Sequence, residues 1–211
     1  NARPMLSEFI DMLDLAFLED TFEYHGEHYD LPSTHISARP VNGLPEIWIA
    51  GDHEYGHRLC ARKGYVPMFT GRWLGADYQR QQREYIAKSY VAEGRDPDSM
   101  PLAVQRFMGV TKTREETLAY VDNARHQMRL ASALRRRAEV TDGAMMREIP
   151  IPDEPPLEEI ADQLLVGDCE TIAERLCNEI QACRPLHMMF HFQVGASAHA
   201  HALMTMEKLM T

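Results

Sequence analysis

A short polar segment follows the first clear apolar strand of the sequence and leads directly into a helix. The strand is predicted over residues 46–51, and the segment comprises Gly51, Asp52, His53, Glu54, Tyr55 and Gly56. A loop at a helix N-terminus presents unpaired backbone N–H groups and the positive end of the helix dipole, so it can bind phosphate. The competing interpretation is an ordinary helix cap by Asp52 or His53. The sequence leaves both interpretations open.

The last predicted strand, residues 186–193, carries polar side chains on one face. Strand side chains alternate, so His187, Met189, His191 and Gln193 share that face. A metal site at His187 and His191 is one interpretation, but it lacks a carboxylate or cysteine at a usable spacing. We therefore predict no metal site, and we expect His191 and Gln193 to lie nearest the catalytic end of a pocket.

The elements that must position these residues are strands and helices that alternate along the chain. Apolar runs predict strands over 46–51, 66–69, 102–110 and 186–193. Helices are predicted over 4–18, up to Gly64, and over 76–93, 113–137, 169–182 and 197–210, and Gly26 is predicted to turn a hairpin within 22–29. Thr113 and Glu116, three residues apart, predict a capping box at the start of the helix 113–137. Four strand-then-helix units indicate an α/β fold with a parallel sheet, about half of a (β/α)₈ TIM barrel. A small doubly wound sheet is disfavoured because no G-x-G-x-x-G follows a strand.

Charge and composition exclude several classes of function. The chain has 22 Lys and Arg against 32 Asp and Glu, a formal charge of −10, which disfavours nucleic-acid binding. The run 135–137 of three arginines is interpreted as a solvated helix end. The four cysteines form no CxxC pair, and no apolar run approaches the roughly 20 residues of a membrane span. We expect a cytoplasmic protein that has no membrane partner.

Four segments, in order along the chain, resemble the bacterial luciferase family of flavin-dependent monooxygenases. The first is the helix and hairpin that run from Asn1-Ala2-Arg3 and Glu8 to Phe22, Gly26 and Tyr29. The second, Arg39-Pro40-Val41 with Leu44–Gly51, resembles the family's approach to its fifth barrel strand. The other two are the helix end Leu59–Gly64 and the helix Val166–Leu176 near the C-terminus. The resemblance aligns residues 1–211 with the second half of one barrel domain, strands five to eight. It implies that about 130 further residues upstream supply strands one to four, including the catalytic acid/base histidine.

The resemblance also implies a cofactor, reduced FMN from a flavin reductase, which would react with dioxygen and a small organic substrate. It places the cofactor phosphate at 51–56, although His53 and Gly56 stand where hydroxyl residues are usual. It places Thr70, Gly71 and Arg72 beside the flavin and Trp73 as a flat apolar wall. A surface arginine beside a packed tryptophan is the alternative for the latter pair.

Several further expectations complete this interpretation. Either Gln105 or Arg106 is expected to reach the substrate pocket. Residues 139–160, rich in Pro, Glu and Met, are expected to be irregular, and the resemblance implies that they form a mobile lid that excludes water. The protein is expected to be a homodimer. A deazaflavin-dependent dehydrogenase on the same fold is one alternative function. A non-catalytic half-barrel that works through association with a partner is the other, because exposed strand edges and inner faces favour association.

Overall fold

The computed structural model describes residues 2–210, so Asn1 and Thr211 lie outside the described residues. The chain divides into two compact units, Asn1–Trp48 and Ile49–Thr211. Each unit is built from a different kind of structure. No described helix is long and apolar enough to cross a membrane.

The first unit contains one helix and one hairpin. Its elements are α1 (Ala2–Leu18), β1 (Thr21–His25) and β2 (Asp30–His35), and the two strands pair antiparallel. The Glu8 carboxylate accepts hydrogen bonds from the backbone N–H groups of Glu27, His28 and Tyr29 at 3.0, 2.9 and 3.1 Å. A Cβ at Gly26 would lie 2.3 Å from that carboxylate. The predicted hairpin around Gly26 is confirmed, and Glu8 fixes its turn.

The second unit alternates strands and helices. Its elements are β3 (Trp48–Ala50, which begins at the boundary residue), α2 (Glu54–Lys63), β4 (Val66–Thr70), α3 (Ala76–Ala92), β5 (Ala103–Val110), α4 (Arg114–Arg136), β6 (Thr141–Asp142), β7 (Met145–Met146), α5 (Leu157–Gln163), β8 (Leu165–Gly167), α6 (Cys169–Cys183), β9 (His187–His191) and α7 (His199–Met210). The predicted strands and helices are present, with ends shifted by a few residues. Thr113 caps α4 as predicted, since its hydroxyl accepts from the Glu116 N–H at 3.2 Å.

The sheet of the second unit is parallel and open. Its strand order is β3-β4-β5-β8, with β9 also paired to β5. The first part of β5 pairs with β9 from Ala103↔His187 to Phe107↔His191, and its last three residues pair with β8. The α/β class with a parallel sheet is confirmed, whereas the described strands do not close into a barrel.

The sequence missed two features of this unit. The strand β8 has three residues, too few to show a period, and no strand is predicted there from the sequence. Residues 139–160 were predicted to be irregular, but they contain the β6–β7 hairpin and the start of α5.

One hydrophobic core of the second unit lies between the sheet and α3. It includes Phe69, Val104, Leu102, Ile86 and Tyr90, all at most 4% exposed. Burying an aliphatic or aromatic side chain of this size contributes roughly 1.5–3 kcal/mol, so these contacts stabilise the packing of α3 on the sheet. Because strand side chains alternate, Thr70, Gln105 and His191 point to the opposite face.

Candidate functional site

A cavity of about 240 Å³ lies at the carboxyl ends of β3 and β4, within the second unit. Its lining residues are Ala50, Gly51, Asp52, Met68, Phe69, Thr70, Arg72, Tyr78 and Arg135. The carboxyl ends of parallel strands are where α/β proteins bind ligands. Four of the residues that the sequence singled out, Gly51, Asp52, Thr70 and Arg72, therefore come together at one opening.

The charged centre of the cavity is one carboxylate shared by two guanidinium groups. Asp52 Oδ2 lies 3.3 Å from Nη2 of Arg72 and 3.6 Å from Nη1 of Arg135. All three side chains are partly exposed, so each ion pair contributes little to stability. The cluster carries a net charge of +1, because two cations face one anion. It therefore favours an anionic ligand.

Arg135 was missed as a site residue. The sequence interpretation placed it in a solvated helix end, and its side chain is indeed 59% exposed. The structure brings the C-terminal turn of α4 to the cavity, so one member of the arginine run pairs with Asp52. No local spacing signals this contact, since 83 residues separate the two in the chain.

Tyr78, also missed, adds a hydrogen-bonding group to the cavity wall. It lies in the first turn of α3, and its ring packs edge-on against Phe69 at 6.4 Å between centroids. Burial raises the pKa of the Tyr78 phenol. The group therefore stays protonated at neutral pH and offers an O–H donor inside an apolar wall.

The start of α2 is capped in the ordinary way. Nδ1 of His53 accepts a hydrogen bond from the Gly56 N–H at 3.1 Å, and Glu54 pairs with Arg58 at 3.7 Å. The His53 ring lies 6.4 Å from that of Tyr55. None of residues 53–56 lines the cavity, whereas Gly51 and Asp52 do. His53 is thus an ordinary helix cap. A phosphate site within 51–56 remains a prediction for Gly51 and Asp52, which line the cavity.

His57 lies buried beneath the same loop, with 2% of its surface exposed. Its Nε2 lies 3.1 Å from the Gly51 carbonyl oxygen, so Nε2–H donates to it. Its Nδ1 has no hydrogen-bond partner among the described residues. Burial lowers the pKa of His57. The ring is therefore neutral at pH 7 and ties the loop to α2.

The depressed pKa of His57 predicts a pH dependence of stability. Unfolded histidine titrates near pH ~6.5, above the folded-state value, so at lower pH the unfolded chain binds more protons. The stabilisation is complete above that pH and is lost as pH falls through the folded-state pKa. We expect His57→Gln to make the fall in unfolding free energy between pH 7.5 and pH 5.5 smaller, measured by urea denaturation. The exposed His199→Gln serves as control, and an equal change in both variants would contradict the assignment.

A row of hydrogen bonds crosses the face of the sheet opposite the α3 core. The Thr70 hydroxyl donates to Oε1 of Gln105 at 3.3 Å, and Nε2 of Gln105 lies 3.3 Å from Nδ1 of His191. These residues stand on β4, β5 and β9, and the first two are register partners. Gln105 and His191 do not line the cavity, but this row connects them to its Thr70 edge.

Three of the predicted pocket residues lie elsewhere. Arg106 points away from Gln105, to the opposite face of β5, where it pairs with Glu179 of α6. Trp73 packs against the core around α4 and α5. Nε2 of Gln193 donates to the Ser197 backbone oxygen and lies 3.3 Å from its hydroxyl. Strand alternation turns the adjacent residues Gln105 and Arg106 to opposite faces of β5. Arg106 is the buried one, and neither residue lines the cavity.

Ion pairs connect the segment 139–160 to α4. Arg129 binds both Glu148 and Glu154, and Nδ1 of His126 lies 2.8 Å from Oε2 of Glu148. These contacts fix one arrangement of the predicted lid. Within residues 2–210, no group of three or more metal-ligating side chains is found.

The second unit is thus an α/β protein with an open parallel sheet and a cavity of net positive charge at the carboxyl edge of that sheet. The luciferase-like monooxygenase family matches residues 1–183, and the chain belongs to that family. An uncharacterized protein, y4vJ, of Sinorhizobium fredii (strain NBRC 101917 / NGR234) is 27% identical over 196 residues, which cover 92% of this chain and 56% of that protein.

Solved structures share the fold at low identity. An F420-dependent secondary alcohol dehydrogenase in complex with an F420-acetone adduct has a TM-score of 0.68 at 12% identity, covering 98% of this chain and 60% of that one. The oxygenating constituent of 3,6-diketocamphane monooxygenase from the CAM plasmid of Pseudomonas putida, a type II Baeyer-Villiger monooxygenase in complex with FMN, has a TM-score of 0.63 at 19% identity, covering 91% and 57%. The family thus includes flavin monooxygenases and F420-dependent enzymes. The chain spans somewhat more than half the length of these relatives.

Proposed function

We propose that this chain forms part of a flavin-dependent monooxygenase that uses reduced FMN and dioxygen to oxidise a small organic substrate. The observation that carries the proposal is the cavity at the carboxyl ends of β3 and β4, where Arg72 and Arg135 outweigh Asp52 by one charge. A family neighbour that holds FMN supports the same cofactor.

The residues present fit a phosphorylated flavin. Two guanidinium groups provide planar N–H donors for a phosphate, and the Tyr78 phenol adds a neutral donor. Met68 and Phe69 supply apolar wall beside them. In our proposal Arg72 and Arg135 hold the phosphate, while Thr70 and Gly71 border the rest of the cofactor.

Bound reduced FMN would supply the electrons that activate dioxygen, and the protein would supply binding, orientation and exclusion of water. The segment 139–160, held by Arg129, is proposed to cover the site against water. We assign no acid/base residue within this chain. The remaining barrel strands, a flavin reductase and a second copy of the protein are proposed as its partners, in the cytoplasm.

The binding test compares FMN with riboflavin, which lacks the phosphate. We expect the full gene product to bind FMN more tightly, and Arg135→Gln to reduce the ratio of the two affinities about threefold to tenfold, since an exposed guanidinium gains only part of the Coulomb energy. The measurement is fluorescence titration of each flavin. Arg136→Gln is the matched control, because Arg136 is the next residue and does not line the cavity. Equal FMN and riboflavin affinities in the unaltered protein would remove the phosphate site.

A deazaflavin-dependent dehydrogenase is the second candidate, favoured by the F420-dependent neighbour at TM-score 0.68. The two functions differ in oxygen consumption, because hydride transfer to or from a deazaflavin needs no dioxygen. Substrate-dependent oxygen uptake with reduced FMN supports the monooxygenase. Turnover under nitrogen with deazaflavin, without oxygen uptake, supports the dehydrogenase instead.

A further inference from the structure

A fully buried charged pair of the second unit lies against the turn that follows β4. Arg106 on β5 and Glu179 on α6 have side chains that are 0% and 2% exposed. Nε and Nη2 of Arg106 donate to the two carboxylate oxygens of Glu179 at 3.0 and 2.6 Å. This bidentate arrangement fixes the plane of the guanidinium group.

The remaining donors of Arg106 bind two backbone carbonyls. Nη1 donates to the Arg72 oxygen at 3.0 Å, and Nη2 donates to the Gln163 oxygen at 2.9 Å. The guanidinium therefore joins the turn after β4 to the end of α5. The side-chain oxygen of Gln163 accepts from the Gly75 N–H at 3.0 Å, which closes the connection on the far side of that turn.

Gly71 allows this close approach. A Cβ at Gly71 would lie 2.6 Å from Cδ and 2.7 Å from Nη1 of Arg106, so any larger residue would displace the guanidinium. The next residue, Arg72, has φ +53°, a left-handed conformation that is costly for a residue with a side chain. A strained conformation persists only where its surroundings fix it, and the bond from Arg106 to the Arg72 carbonyl is such a constraint.

We infer that Arg106 is a positioning residue of the anion-binding site, and that Glu179 holds it in place. Arg106 fixes the main chain of Arg72, whose side chain reaches Asp52 on the other side of the turn. A buried ion pair adds little net stability compared with apolar residues of the same shape, so stability alone does not account for the pair. The ligand in this inference, the FMN phosphate, rests on the proposed function. The position of the turn can be measured without any ligand.

The test replaces the pair by apolar residues, R106M together with E179L, in the full gene product. We expect a urea midpoint within about 0.5 M of the unaltered protein, because the apolar pair fills the same buried space. We expect the FMN-to-riboflavin affinity ratio to fall about tenfold, because the Arg72 guanidinium is no longer held at the phosphate. Arg83→Met is the matched control. It removes another buried arginine, one that binds the Cys183 and Pro97 carbonyls, and it should lower the midpoint without changing the ratio.

The turn itself is observed by fluorine NMR with 5-fluorotryptophan, without any flavin. Trp73 lies beside Arg72, and its resonance is assigned by Trp73→Phe. We expect that resonance to shift or broaden in the double variant, while the Trp48 resonance stays unchanged. If the double variant does not fold, Arg106→Lys serves, since one ammonium keeps the charge but cannot bind Glu179 and both carbonyls in one plane.

An unchanged Trp73 resonance in a folded variant overturns the inference, whatever the flavin result. A moved resonance with an unchanged affinity ratio also overturns it, because the turn then has no role in phosphate binding. If the unaltered protein binds neither flavin, the proposed function fails. The positioning of the turn is in that case judged by the Trp73 resonance alone.

Discussion

Replacing Glu179 alone by leucine is expected to lower the free energy of unfolding by about 3–5 kcal/mol. The reason is that Arg106, with a fully buried side chain, would keep its positive charge and lose the one carboxylate that it contacts within residues 2–210. Two carbonyl acceptors at Arg72 and Gln163 cannot neutralise it. Urea unfolding followed by circular dichroism at pH 7 measures the loss.

The control for this change is Glu174→Leu. Glu174 stands on the same helix, α6, but is exposed, so its replacement should change the free energy by no more than about 0.5 kcal/mol. Adding R106M to the Glu179 variant should restore most of the stability, because the uncompensated charge is then gone. A loss below about 1 kcal/mol in the single variant would show that the guanidinium finds another partner or water.

Asp52→Asn is expected to tighten FMN binding about tenfold while leaving riboflavin binding unchanged. A phosphate monoester carries nearly two negative charges at pH 7, and a carboxylate about 6 Å away in a water-like medium repels it by about 1.4 kcal/mol. The amide removes this repulsion and frees Arg72 and Arg135 from their present partner. Parallel titrations at low ionic strength measure the gain, which should shrink as salt is added.

Glu54→Gln provides the matched control for Asp52. Glu54 is an exposed acid two residues along the chain, and it pairs with Arg58 instead of a cavity residue. The same gain in both variants would indicate a general effect of net charge. Weaker FMN binding in the Asp52 variant would mean that the carboxylate orients the two guanidinium groups more than it competes with the phosphate.

The fold was largely predictable because its signals are local. The runs at 66–69 and 102–110 are apolar and short, and they became β4 and β5 almost unchanged. The cap at Thr113 was visible as a spacing of three residues. The strand β8 was not visible, because three residues carry no period and its pairing depends on β5, more than fifty positions earlier.

The site was predictable only where it follows a strand. Asp52 and Arg72 follow β3 and β4, and the rule that ligands bind at carboxyl ends predicts both at the edge of the sheet where they line the cavity. Arg135 was missed because its position depends on how a 23-residue helix crosses the unit, which local sequence does not encode. The burial of Arg106 depends on Glu179, 73 positions away, so that pairing was also invisible.

The hydrogen-bonded row from Thr70 through Gln105 to His191 has a chemical consequence. An amide nitrogen can only donate, so Nδ1 of His191 accepts from Gln105, and the proton of the neutral imidazole resides on Nε2. The tautomer is thereby set by a glutamine on the adjacent strand. Nε2 of His191 therefore offers a hydrogen-bond donor on this face of the sheet, and a molecule bound there must bring an electron-rich oxygen or nitrogen to accept it.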